Sequence, residues 1–263
     1  MKIMFWNVHK NTSINEYISS LVQDYKIDML VLAEYKAESI DLINRFRRNG
    51  DFMEEYLSIG SERLRFFGNY KDVEPSTQNK YYSIQIINKE LILCGVHLPS
   101  DLHGDKSRER AARSRVIIQD IQENERQLST QKTIIVGDFN EMPYSEGCLN
   151  ADAFHGLPAY ENSRKDYRTV LGNNYNKYYN PMWNFFGDFS YPPGTFYRND
   201  SSIHSPMWYM LDQIIVGRGI IPLLKKEQVR IITKCGLGSL ADKNGHPSKS
   251  ISDHFPIMCE INY

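Results

Sequence analysis

Short apolar runs that do not alternate with polar residues are the feature that most restricts what this chain can become. Residues 28–33 read Asp-Met-Leu-Val-Leu-Ala and residues 133–136 read Thr-Ile-Ile-Val, and residues 2–8 and 90–98 are nearly as apolar. A strand with one wet face alternates; a strand that does not has both faces covered. The covers are readable between the runs. Residues 13–25 put Ile14, Tyr17, Ile18 and Leu21 on one helical face, with Ser13 as the expected cap. Residues 38–48 are again helical, and 105–127 form a long charged helix with Ala111, Ala112, Val116, Ile117 and Ile121 as the expected inward stripe. Residues 63–67 and 80–88 read as further strands, the latter joined to 90–98 through a tight turn at Asn88-Lys89. Residues 151–209 show little periodicity, and 211–216, 229–233 and 256–262 then read as strands. Hairpins and crossover helices both occur, so the expected fold is α/β, with mixed sheets stacked on each other and covered by helices. No repeat or low-complexity linker interrupts the pattern, and residues 1–263 are expected to form a single domain.

Composition excludes several classes of protein. The net charge is −1, so polyanion binding requires a local patch rather than a global field. The four cysteines, Cys94, Cys148, Cys235 and Cys259, contain no CxxC pair, which excludes a zinc ribbon or thioredoxin-type motif. Cys94 and Cys259 sit in apolar runs as small core residues, and a reduced, cytoplasmic chain is expected. The N-terminus turns polar at Asn7 and His9, too early for a signal-peptide core. No run approaches the roughly 18 apolar residues needed to cross a bilayer.

The polar residues that end the strands carry the chemistry. The first run ends in Trp6-Asn7, the second in Glu34, the third in His97-Leu98-Pro99, and the fourth in Gly137-Asp138-Phe139-Asn140. Asp212 interrupts an apolar run, and Asp253-His254 stands just before the last strand. A carboxylate at the mouth of a buried strand is poorly solvated unless a cation or hydrogen bonds compensate. Several converging carboxylates therefore point to a bound cation. Oxygen donors suit Mg²⁺ or Mn²⁺, whereas zinc would bring more His or Cys at close spacing. HExxH, P-loop and GxSxG motifs are absent, which removes the metalloprotease, NTPase and α/β-hydrolase readings.

Taken in order, Trp6-Asn7, Ala33-Glu34, Val96-His97-Leu98, Gly137-Asp138-Phe139-Asn140-Glu141-Met142-Pro143, Leu211-Asp212-Gln213-Ile214 and Ser252-Asp253-His254-Phe255-Pro256 span nearly the whole chain. This set resembles the endonuclease/exonuclease/phosphatase superfamily. The resemblance implies a four-layered sandwich of two packed mixed β-sheets flanked by helices, with the site at one edge. It implies Glu34 as the principal metal ligand and Asp253 as a further ligand or a supporting acid. Asp138 would orient or deprotonate the attacking water, and Asn7 and Asn140 would position the phosphate and the nucleophile. Asp212 would hold His254 in one tautomer; His254 and His97 would each contact a phosphoryl oxygen. Two positions depart from the family pattern: Ala33 where many members have Gln, and Met210-Leu211-Asp212-Gln213 where many have Arg-Ile-Asp-aromatic. His97-Leu98-Pro99-Ser100 differs from the Tyr-containing segment of abasic-site endonucleases, which disfavours that subfamily.

Each residue also has a plain structural reading. Asn7 can cap a turn, Glu34 can be a surface residue, Asp138 and Asn140 can form a turn, and His97 can be a strand-end histidine. His9, His103, His155, His204 and His246 match no motif and read as structural or surface residues. Residues 175–209 are dense in aromatics, either a wall on which nucleobases stack or a self-packed loop. Arg108, Arg110, Arg113 and Arg115 lie on the long helix, as a phosphate-binding face or as a solvated face salt-bridged with Glu109 and Asp120. The expected substrate is a nucleic acid or nucleotide; a small phosphorylated molecule or lipid, and a catalytically silent module of the same fold, are the alternatives.

Overall fold

The computed structural model describes residues 1–58, 60–187, 189–201 and 203–263, apart from the side chain of residue 103. Two mixed sheets form its centre. The first has six strands in the order Arg230–Ile231, Ile257–Glu260, β1 (Lys2–Asn7), β2 (Met29–Ala33), β4 (Leu64–Gly68) and β3 (Glu54–Tyr56). The second has seven, in the order β5 (Val73–Asn79), β6 (Tyr82–Ile87), β7 (Leu91–His97), β8 (Thr133–Asp138), Asp212–Val216, Tyr178–Tyr179 and Gly156–Leu157. β1 and β2 run parallel, as do β7 and β8, while most other neighbours are antiparallel.

The non-alternating runs are explained by three separate apolar layers. In β1, Ile3 and Phe5 face the second sheet, while Met4 and Trp6 face helices α1 (Asn15–Tyr25) and α2 (Ser39–Arg48). In β8, Ile134 and Val136 face the first sheet, while Ile135 packs under α3 (Ser107–Gln127) with Ile117, Ile118 and Ile121. Successive side chains of a strand point to opposite faces, so each residue of these runs is buried by a different layer. Helix, sheet, sheet and helix give the four layers. Each fully buried Val, Leu, Ile, Phe or Met contributes about 1.5–3 kcal/mol, and β1, β2 and β8 each carry at least three such residues. At Gly95 the ring of Phe66 crosses between the sheets so closely that a Cβ would lie 2.6 Å from it.

Three features differ from the sequence expectation. Ser13 does not cap α1: its N–H donates to Asn11 Oδ1, and the helix starts at Asn15 without a side-chain cap. Asn11 captures the turn first, as short polar side chains do. Ala112 and Val116 are exposed; the buried stripe of α3 runs through Ala111, Ser114, Ile117, Ile118 and Ile121. The two misassigned residues sit one step, about 100°, off that face. β3 and β5 had no apolar signal. Their Glu, Pro, Ser and Asn residues belong to strands at sheet edges, where charge and proline discourage further pairing.

Candidate active site

Parallel register brings the strand ends together. Asn7 pairs with Ala33 at the ends of β1 and β2, and His97 pairs with Asp138 at the ends of β7 and β8. Asp212 opens its strand directly opposite Asp138. Both sheets thus end at one edge, around a cavity of about 400 Å³ lined by Asn7, Glu34, His97, Asp138, Asn140, Asp253 and His254 among others. Gly137 allows this convergence, since a Cβ there would lie 2.1 Å from the Val96 carbonyl oxygen and force β7 away from β8.

Asp138 is buried and fixed by two donors. Asn7 Nδ2 donates to its Oδ2 at 2.9 Å, and the Asn140 backbone N–H donates to its Oδ1 at 2.9 Å. Asn7 Oδ1 accepts from the His9 N–H, and Asn140 Nδ2 donates to the Leu98 carbonyl. Each amide carries a second hydrogen beyond these bonds. Burial pushes the Asp138 carboxyl up, against the charge of His254 and with the repulsion of Asp212.

His254 Nδ1 lies 2.7 Å from Asp212 Oδ2, and both residues are buried. Burial alone would lower the imidazole, but the charge and hydrogen bond of Asp212, with Asp138 and Asp253 nearby, raise it to about 10. His254 is therefore an imidazolium at neutral pH, with Nδ1–H donating to Asp212. Three interactions hold this segment in place. Trp6 Nε1 donates to the His254 carbonyl, Ser252 Oγ donates to the Asn7 carbonyl, and the Asp212 N–H donates to Thr195 Oγ1. His97 is the opposite case. Burial pushes it down to about 4 despite Asp138, and its Nε2 stands 3.6 Å from Glu34 Oε1 and 3.8 Å from Asp138 Oδ2. A neutral imidazole thus stands between the two carboxylates, hydrogen-bonded to neither.

The most compact set of potential ligands, Asp138, Asp212 and His254, offers atoms within 4.8 Å of one another. It is closed by the His254–Asp212 hydrogen bond and by the imidazolium charge, which disfavours a cation there. Glu34 and Asp253 are more open. Asp253 Oδ1 is buried with no hydrogen-bond partner among the described residues, and His9 Nδ1 stands 3.1 Å from it outside hydrogen-bonding geometry. Glu34 Oε2 has Lys10 Nζ at 3.6 Å. Two oxygen donors facing one cavity, one of them without a donor, fit a hard divalent cation. His9, Lys10, Glu34 and Asn140 all have positive φ, at 47°, 57°, 54° and 51°. Residues other than glycine held in this region cost roughly 1–3 kcal/mol each and cluster at functional sites.

His9 is thus a site residue that the sequence reading assigned to structure or surface. It follows the first strand with no motif of its own. His155 is buried with Nδ1 at the Asn176 carbonyl, and His246 stacks on Tyr197 at 3.5 Å; the His103 side chain lies outside the described residues. The four arginines clustered in the first half of α3 point in different directions. Arg110 is buried on Asp101, Arg113 pairs with Glu109, Arg115 pairs with Asp152, and Arg108 is exposed. Asp120 instead accepts from the Tyr82 hydroxyl. Within 175–209 Trp183 packs on Phe186 and Tyr197 on Trp208, while Phe196 and Tyr209, also packed on each other, line the cavity with Arg198.

Behind Asn140, Glu141 is buried with Arg110 Nε at 3.7 Å from Oε2, and its Oε1 has no hydrogen-bond partner among the described residues. Burial pushes its carboxyl up to about 7, against the Cys148 thiol and Arg110, which favour the anion. A carboxyl raised on folding contributes stability that is full below its ordinary value and is lost as pH rises through about 7. Glu141→Gln should therefore flatten the dependence of Tm on pH between about 5 and 8, with the wild-type protein losing more Tm over that range. Equal slopes for both proteins would refute the assignment.

No helix among the described residues is long and apolar enough to cross a membrane. The family model described as Endonuclease/Exonuclease/phosphatase family matches residues 4–254. A comparison with curated protein sequences gave no match. Solved structures with similar folds include a Neisseria 3' phosphatase bound to product DNA hairpin, at 15% identity, TM-score 0.61 and 100% of both chains. An AP endonuclease from Archaeoglobus fulgidus matches at 14% identity and TM-score 0.58, again over 100% of both chains. The human Nocturnin catalytic domain matches at 16% and 0.57, over 98% of this chain and 92% of that one. At these identities the structures speak for the fold, and the family match covers nearly every strand of it. The chain belongs to the Endonuclease/Exonuclease/phosphatase family.

Proposed function

We propose that the chain is a phosphodiesterase dependent on Mg²⁺ or Mn²⁺ that hydrolyses nucleic acid. One observation carries the reading: a buried histidine, His254 held by Asp212, faces the same cavity as the carboxylates Glu34 and Asp138. Such a site combines a fixed positive group for a phosphoryl oxygen with a base for water. A Neisseria protein of this fold has been solved with a product DNA hairpin, which supports nucleic acid as the substrate class.

Glu34 and Asp253 would hold the cation, and when bound it supplies Lewis-acid relief of charge on the phosphoryl oxygens. Asp138 orients the attacking water and accepts its proton. Its burial makes it a stronger base than an exposed aspartate. The second amide hydrogens of Asn7 and Asn140 hold the phosphate and the nucleophile in line. His254 Nε2 binds a phosphoryl oxygen or delivers a proton to it, while Asp212 keeps Nδ1 protonated. His97, neutral, offers Nε2–H to another phosphoryl oxygen.

The test is hydrolysis of bis(p-nitrophenyl) phosphate and of a labelled oligonucleotide, with Mg²⁺, Mn²⁺ or EDTA. Both substrates should be cleaved only with metal, and Asp138→Ala should lower the rate about 10³-fold. Metal-independent hydrolysis, or an Asp138→Ala protein as active as wild type, would overturn the mechanism. Release of phosphate from small phosphomonoesters alone would move the assignment to a small-molecule phosphatase. No hydrolysis of any ester would leave a silent module of the same fold.

A further inference from the structure

We propose that Arg63, Lys80 and Arg113, gathered around the ring of Tyr81 beside Glu34 and His97, form a subsite for a phosphate flanking the scissile one along a nucleic-acid strand. The inference rests on the nucleic-acid reading above and names how that substrate is gripped. The Arg113 and Arg63 guanidinium carbons lie 3.8 and 4.9 Å from the Tyr81 ring centroid, and Lys80 Nζ lies 5.6 Å from it. All three are within cation–π range of one neutral ring. Arg113 is matched by Glu109, which accepts from its Nε and Nη2 at 3.0 and 2.6 Å. Among the described residues no carboxylate pairs with Arg63 or Lys80, and their contact is the tyrosine ring. In a chain with net charge −1 this is a local concentration of unmatched positive charge.

The patch is joined to the site through the backbone. The Glu34 N–H donates to the Arg63 carbonyl at 3.1 Å, and the His97 N–H donates to the Tyr81 carbonyl at 2.8 Å. Arg63, and the Tyr81 backbone that carries the shared ring, are thus hydrogen-bonded neighbours of the cavity residues Glu34 and His97. A helix-surface pair explains Arg113 with Glu109, but it does not explain why cations from a β4 approach and a hairpin turn meet on the same ring. An anion shared between Arg63 and Lys80 does. A small phosphomonoester ends at the scissile phosphate and would leave the patch unused, whereas a strand continues past the site with one phosphate per nucleotide. The planar guanidinium suits a phosphodiester with two non-bridging oxygens.

The double variant Arg63→Gln/Lys80→Gln tests this in the full chain, with its melting curve as the control for folding. Binding of a short fluorescein-labelled single-stranded oligonucleotide is measured by anisotropy in EDTA over a range of salt. The variant should bind on the order of tenfold more weakly, and its slope of log K against log salt should be shallower by about 1.4. Hydrolysis of bis(p-nitrophenyl) phosphate in Mg²⁺ should be unchanged. Equal oligonucleotide affinity and slope in both proteins would overturn the subsite. So would a wild-type protein that does not bind the oligonucleotide, or a proportional loss on the small diester. Failure of the hydrolytic reading has a separate signature: no diester is cleaved by wild type, while the anisotropy measurement still decides the subsite.

Discussion

Asp212→Asn lowers kcat for phosphodiester hydrolysis by about 10³-fold, with KM and folding little changed. Asparagine has nearly the same shape as aspartate, so packing around the fully buried position survives. The charge does not survive. Burial by itself drives His254 toward the neutral form, and the Asp212 carboxylate is the main group that outweighs it. With an amide in its place the imidazole becomes neutral, and Nε2 offers a phosphoryl oxygen an uncharged donor instead of a cationic one. Removal of one donor of this kind from a preorganised site costs 10²–10³-fold, and loss of the charge puts the effect at the upper end. Asp212→Ala is the less informative variant. It also removes the charge that keeps the imidazole protonated, and in addition leaves buried Nδ1 without its hydrogen-bond partner, which should cost about 1–3 kcal/mol of stability. The decisive comparison is a cycle with His254→Gln. If Asp212 acts through His254, the double variant is no slower than the slower single variant. Losses that multiply would show that Asp212 serves Asp138 across the strand pair instead, since those two residues are register partners.

The place of Asp212, buried against His254 at the cavity, shows which parts of the candidate site are legible in the sequence. Asp212 interrupts the run Leu211-Asp212-Gln213-Ile214-Ile215, and a carboxylate inside a run buried on both faces requires a partner. Glu34, His97 and Asp138 were legible for a related reason: each is the first polar residue after an apolar strand, and parallel register brings such ends to one edge. β1, β2, β7 and β8 were readable because both faces are covered, which makes the whole run apolar. β3 and β5 were not, because an edge strand with a wet face has no need of that pattern.

The unread part of the site consists of residues whose role exists only in three dimensions. Thr195 accepts the Asp212 N–H from an irregular segment. Arg110 and Glu141 meet behind Asn140 from a helix and a loop. His9 reaches Asp253 from the far end of the chain because two consecutive residues, His9 and Lys10, turn through the left-handed region. A polar residue in a turn carries no periodicity, and neither charge nor spacing separates it from solvent-facing neighbours.

The same turn sets up the second large effect, which concerns Glu34. Glu34→Gln is expected to lower kcat/KM about 10³-fold at limiting Mg²⁺ and to abolish the rise in Tm that Mg²⁺ produces in wild type. The Tm measurement reads binding alone, so it separates loss of the cation from loss of catalysis. A ligand present at 100 times its Kd stabilises the folded state by about 2.7 kcal/mol, a shift easily resolved in a melt. Glu34 Oε2 has Lys10 Nζ at 3.6 Å, a side chain 69% exposed. Screening limits such a pair to about 1 kcal/mol or less, so Lys10→Met should tighten Mg²⁺ binding by only a few-fold. Glu34 at φ 54° is the more telling feature, because Asn140 at 51° is of a residue type that tolerates this region and a glutamate is not. If the conformation is kept to aim the carboxylate, Glu34→Gly relieves it, and that protein melts higher than Glu34→Gln while remaining equally inactive. A Glu34→Gln protein that still gains Tm with Mg²⁺ would place the cation elsewhere, and Asp253 would then be the ligand to replace next.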